Sequence, residues 1–235
     1  MLGHSHALTG VAGGLALGDV LGWAPGKAAA LAGFTAGMAL LCDLDQHGSC
    51  ASRSLGPLSE GLSWVIAKIC LGHRGLSHTW MGIAGFTAVA EAGGLLRHDW
   101  AGKAILGLLV MIAATGALEA LHVLKSGPAD LVGAGVAAAV VFWGWDLSLI
   151  MIAAPLGVAV HIWGDELTLH GCQFLRPFSQ HAFHLLPTRM RISTGHAAEH
   201  FVITPLVLVL IAVLAVQAAD PALLASGWHA AITAA

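Results

Sequence analysis

The chain has 235 residues, 57% of them hydrophobic and only 10% charged, with a mean hydropathy of +0.80. A soluble domain carries roughly 25% charged residues, so this composition excludes an ordinary water-soluble globule and places the chain in lipid. A formal net charge of −3 supplies no basic footprint and argues against nucleic acid as a partner.

In chain order, an apolar, Gly-rich run extends from Ala7 to Leu21, and a turn at Trp23-Ala24-Pro25-Gly26 leads to a second run, Ala28 to Cys42. Both are short against the ~20 residues of a standard span, which predicts tilted or re-entrant helices packed through small residues. Residues 46–58 are polar and read as a loop. Leu58, Leu62, Val65, Ile66 and Ile69 then recur at helical spacing around Glu60 and Lys68, which predicts an amphipathic helix lying at the interface. After His73-Arg74-Gly75-Leu76-Ser77-His78-Thr79 come a third run, Trp80 to Leu96, and a fourth, Ala104 to Leu124.

A fifth run, Leu131 to Trp145, and a sixth, Leu147 to Trp163, are separated only by Asp146. A hairpin is expected there, with Trp143 and Trp145 at the interface and Asp146 capping the second arm. A polar stretch to His200 precedes a last run, Phe201 to Ala218. Residues 1–235 therefore read as a single integral membrane domain. The expected fold is an all-α, polytopic bundle of about seven apolar helices plus the interfacial helix, with polar loops at 43–79 and 164–200.

Fourteen histidines are many for this length, whereas the four cysteines form no C-x-x-C pair and read as reduced or structural. His161 and Asp165 lie one helical turn apart on one face, a spacing that lets an imidazole and a carboxylate grip one divalent ion. Counting seven crossings puts His6, Asp43, Asp45, His73, His78, His161, Asp165 and Glu199 on the same side. Seven of the ten basic residues (Arg53, Lys68, Arg74, Lys125, Arg176, Arg189, Arg191) fall there too, against Lys27, Arg97 and Lys103 opposite, so that side is expected to be cytoplasmic. Imidazoles mixed with carboxylates are the donor set of zinc and manganese hydrolases. The bland alternatives are a buried hydrogen-bonded pair for His161 and Asp165, and helix-end carboxylates for Asp43 and Asp45. Glu119 and His122 share a helix face and could form an accessory site.

The order of His6-x-x-Thr9-Gly10, Asp43-x-Asp45, His73-Arg-Gly-Leu-Ser-His78-Thr79, His161-x-x-x-Asp165-x-x-Thr168-x-x-Gly171, Leu175-x-Pro177-x-Ser179 and Thr194-Gly195…Glu199 resembles the YdjM-like family of inner-membrane, metal-dependent hydrolases. More distantly it is similar to the zinc-dependent phospholipase C and P1 nuclease group. The resemblance spans about residues 3–210, and its last element departs from the distant group in offering His196-x-x-Glu199. It implies an enzyme of the inner membrane in which His6, Asp43, Asp45, His73, His78, His161, Asp165 and Glu199 hold more than one divalent ion, zinc or manganese. Hydrolysis of a lipid or lipid-linked phosphoester by metal-activated water is the expected activity, with Asp45 or Glu199 handling the proton and Arg74 clamping phosphate. The competing expectation is a membrane metal-binding protein or transporter without catalysis.

Overall fold

The computed structural model describes residues 1–143 and 146–220, of which Trp145 and the tail beyond Asp220 are therefore not part. It is all-helical, 72% helix without strands among the described residues. The helices are α1 (Gly3–Val20), α2 (Pro25–Met38), α3 (Cys50–Arg53), α4 (Pro57–Ile69), α5 (Trp80–Leu95), α6 (Trp100–Ala120), α7 (Pro128–Trp143), α8 (Leu147–Glu166) and α9 (Thr204–Ala219).

Among the described residues, four stretches are long and apolar enough to cross a membrane: Pro25–Asp45, Trp100–Ala120, Leu147–Glu166 and Glu199–Ala219. These four do not by themselves account for the seven expected apolar helices, some of them short. α5 and α7 have only 16 residues each, and the 18-residue α1 is not among the four. The polar segment 46–58 also contains the short helix α3, started by Ser49, whose side chain accepts from the Ser52 N–H.

Small residues set the helix spacing. A Cβ placed on Gly10, Gly14 or Gly18 would lie 2.4–2.7 Å from atoms of Ala36, Ala32 and Ala28 respectively. α1 and α2 are thus an antiparallel pair with backbones in near contact, the arrangement that small residues permit in lipid. Gly157 lets α8 approach Met38 and Ala39 in the same way.

The reversal expected at Asp146 is present. α7 runs antiparallel to α6, since Gly133 meets Thr115 near one end and Val141 meets Gly107 near the other. α8 runs back alongside α5, with Met151 against Gly94 and with Val158 and Ile162 packed with Ile83 and Phe86. The Asp146 side chain accepts from the Ser148 N–H at 3.1 Å, capping α8, and pairs with Lys27 at 2.9 Å. One end of the bundle therefore collects the start of α1, the residues after α2, the loop before α5, the end of α8 and the approach to α9.

α4 turns Ser59 and Ser63 inward, whereas Leu58, Trp64, Val65 and Ile69 are exposed and Lys68 lies over the Trp64 ring. Only Leu62 and Ile66 of its apolar positions pack on the core. An apolar stripe directed away from the protein is the geometry of a helix resting in an interface.

Candidate metal centre

At that end, His161 is presented by the last turns of α8 and His78 by the turn that precedes α5; both are fully buried. His161 Nδ1 donates to the Ala39 carbonyl at 2.5 Å. A carbonyl only accepts, so Nδ1 carries the proton and Nε2 the lone pair. Ser77 Oγ donates to Asp45 Oδ2, which leaves its oxygen to accept from His78 Nδ1 at 3.0 Å. His78 Nε2 is bare by the same reasoning.

These two Nε2 atoms face each other at 3.1 Å, lone pair against lone pair. Asp43 Oδ1 lies 3.9 Å from His78 Nε2 and 3.8 Å from His161 Nε2, and Asp165 Oδ2 lies 3.7 and 3.8 Å from the same atoms. Four ligands on a tetrahedral ion at 2.0–2.1 Å stand about 3.3 Å from one another. The spacing therefore fits one divalent cation, and a cation is what relieves two opposed lone pairs and a buried carboxylate.

The surrounding side chains hold these donors in place. Asp165 Oδ1 accepts from Arg74 Nη2 at 2.8 Å and from the Met1 amine at 2.5 Å, leaving Oδ2 toward the imidazoles. The buried His6 ring stacks on His161 with centroids 3.6 Å apart, and its Nε2 lies 3.4 Å from Asp165 Oδ1. Gly164 leaves room for that ring, because a Cβ there would sit 3.2 Å from His6 Nδ1. Asp45 accepts from His73 Nδ1 at 2.9 Å and from the Arg74 N–H at 3.2 Å, besides Ser77. Two groups of donors that could hold metal result, Asp43/Asp45/His73/His78 and His6/His161/Asp165, and they abut at the His78–His161 contact.

A model of the family described as YdjM inner membrane protein matches residues 1–232. The chain belongs to that family. No curated protein and no solved structure matches it.

Seven of the eight ligands expected from the family resemblance are thus brought together. Glu199 is not. It is buried, but its carboxylate accepts from the Leu2 N–H at 2.7 Å and the Gly195 N–H at 2.8 Å, tying the start of α1 to the approach to α9. A carboxylate is needed there to satisfy two backbone donors, a demand invisible in residue order. His196 and His200, beside it, are exposed; His196 accepts from or donates to Ser193 at 3.1 Å and His200 stacks on His4. Two contributors had no signal in the motifs: the Ala39 carbonyl, a backbone atom, and Ser77, which stood within a motif but without an assigned partner.

Ser77→Ala removes the bonds that aim both Asp45 and His78. It is expected to weaken metal affinity roughly 10–100-fold, the usual cost of losing an outer partner of a metal-binding imidazole, in a competition titration with a chromogenic chelator.

His73 differs from its neighbours in being partly open to water, and its hydrogen bond to Asp45 raises its pKa above the ordinary imidazole value. A raised folded-state pKa stabilises the metal-free protein fully below about pH 6.5 and loses that contribution as pH rises through the raised value. For a pair this exposed the contribution is under about 1 kcal/mol. His73→Gln is therefore expected to lower the metal-free melting temperature at mildly acid pH and to have less effect in mild alkali.

Proposed function

We propose that this protein is a multi-pass enzyme of the inner membrane that hydrolyses a lipid phosphoester at a divalent metal centre on the cytoplasmic face. The observation that carries the proposal is the pair of opposed, bare Nε2 atoms of His78 and His161, flanked by Asp43 and Asp165 in the wall of a cavity of about 290 Å³. Zinc or manganese suits this imidazole and carboxylate set. A bound ion of this kind lowers the pKa of water and polarises a phosphoryl oxygen.

Arg74 lines the same cavity in a left-handed backbone conformation (φ 60°) that a non-glycine residue adopts only at a cost. One nitrogen of its guanidinium reaches Asp165, while Nε and Nη1 are buried without a partner. Guanidinium donors without a protein partner, on a side chain that lines a polar cavity, match the non-bridging oxygens of a phosphoester. His73, also in the cavity wall and held through Nδ1 by Asp45, is placed to carry the proton. Asp45 then orients His73 and His78 rather than handling the proton itself, and Glu199 is a structural tie. Polar donors at the end of the bundle, not at mid-helix, favour catalysis over the transporter alternative.

Metal-loaded protein in mixed micelles is expected to release a water-soluble head group or phosphate from phospholipid. Arg74→Lys should retain the metal but lower kcat/KM roughly 10²-fold, because an ammonium cannot reproduce the two fixed donors. Full activity in that variant would remove Arg74 from the reading, and absence of tightly bound metal in the parent would remove the reading itself.

A further inference from the structure

The metal cavity does not end at Arg53. A second cavity, of about 560 Å³, shares Cys50 and Arg53 with it and continues along the end of α6 past Glu119, His122, Val123, Leu124 and Lys125. Its charged lining is two fixed cations and a histidine against one carboxylate. Arg53 donates one N–H to the Ser49 carbonyl at 3.4 Å, and neither Arg53 nor Lys125 forms an ion pair among the described residues.

An apolar groove adjoins this basic cavity on the same helix. Leu118 and Leu121 of the α6 side, Val132 and Val136 of α7, Phe34 of α2 and Val11 of α1 are among the residues that line this cleft of about 320 Å³. Glu119 and His122 of the basic cavity interleave in sequence with Leu118 and Leu121 of the groove. Along α6, an apolar groove therefore lies beside a cationic chamber, which shares Cys50 and Arg53 with the metal cavity.

We infer that this composite is a binding site for one anionic phospholipid, with an acyl chain in the α6–α7 groove and the phosphate between Arg53, His122 and Lys125. Basic pockets at helix ends, one membrane face, bind anionic head groups by this complementarity, and an apolar groove selects a lipid over free phosphate. The site shares Cys50 and Arg53 with the metal cavity, so it deepens the hydrolase reading by naming an anionic lipid as the substrate class. It rests on that reading only for the lipid's fate; the binding itself needs neither metal nor turnover.

The test uses the full chain in phosphatidylcholine nanodiscs doped with spin-labelled phosphatidylglycerol or spin-labelled phosphatidylcholine, reading the immobilised fraction. Preference for phosphatidylglycerol is expected, and Arg53→Gln/Lys125→Gln should reduce that preference roughly tenfold. Val132→Trp, at a half-exposed position in the groove wall, should lower retention of phosphatidylglycerol while leaving the charges in place. Inorganic phosphate should not displace the lipid. An unchanged preference in the double variant, unchanged retention in Val132→Trp, or displacement by phosphate alone would each overturn the proposal. Metal content measured on the same samples keeps the two readings separate: protein without metal that still prefers the anionic lipid sinks hydrolysis but not the lipid site.

Discussion

Replacing His161 by alanine is expected to empty the candidate metal centre and to end the proposed phosphoester hydrolysis. Its Nε2 stands 3.1 Å from His78 Nε2 and 3.8 Å from both Asp43 and Asp165, so with His78 it is one of the two donors that meet the whole cluster. Without it, the remaining groups cannot close four-coordinate geometry, and affinity should fall by well over the roughly 10–100-fold that loss of an outer partner costs. Alanine also leaves the Ala39 carbonyl without its donor and opens a cavity among fully buried side chains, which lowers stability for reasons unrelated to metal. His161→Gln separates the effects. Its amide can still donate to Ala39 and fills most of the ring's volume, so it should melt closer to the parent yet lose metal and turnover as completely. Metal analysis of the purified variants together with head-group release decides the matter; a normal metal complement and normal turnover in either variant would refute the assignment.

Gly14→Val is expected to be nearly as damaging, although Gly14 touches no ligand. A Cβ at that position would lie 2.4 Å from Ala32 Cα, a backbone atom that cannot move aside without moving α2. The α1–α2 pair must separate, and α1 carries His6 while α2 leads into Ala39 and Asp43. Overpacking a close contact of this kind costs about 3 kcal/mol or more, and metal affinity should fall with it. Gly33→Ala serves as the contrast. Nothing lies within 4 Å of its Cβ position, so the partner helix α2 should be unharmed and gain up to about 1 kcal/mol of helix propensity. Thermal unfolding in detergent reads both, and equal melting temperatures for the two variants would mean that the α1–α2 contact does not position the site.

Much of the candidate site was legible because its residues announce themselves chemically. His6, Asp43, Asp45, His73, His78, His161 and Asp165 are histidines and acids standing at the ends of apolar runs, where a structural role is costly. Their shared end followed from counting reversals, and the decisive one, at Asp146, was marked by an acid able to cap the next helix. Glu199 had the same appearance and proved different, because hydrogen bonds from Leu2 and Gly195 depend on which backbone segments meet. The seven apolar runs and the four candidate spans among the described residues differ for a related reason. An Ala- and Gly-rich run of 14 to 18 residues has the hydropathy of a span whether it packs on protein or faces lipid, and only helix length and neighbours separate the two.

The amino-acid sequence by itself determined the helical class, the lipid setting, the chain reversal at Asp146 and the roll of side chains that could hold metal. These follow from hydropathy, period and residue chemistry, which are properties of the chain read locally. The tertiary structure alone decided which lone pairs converge, which backbone donors the Glu199 carboxylate accepts from, and where a basic chamber and an apolar groove lie along α6. Those depend on distances between residues more than a hundred positions apart, as between His161 and Ala39, and such distances are set by how closely Gly10, Gly14, Gly18 and Gly157 let the helices approach.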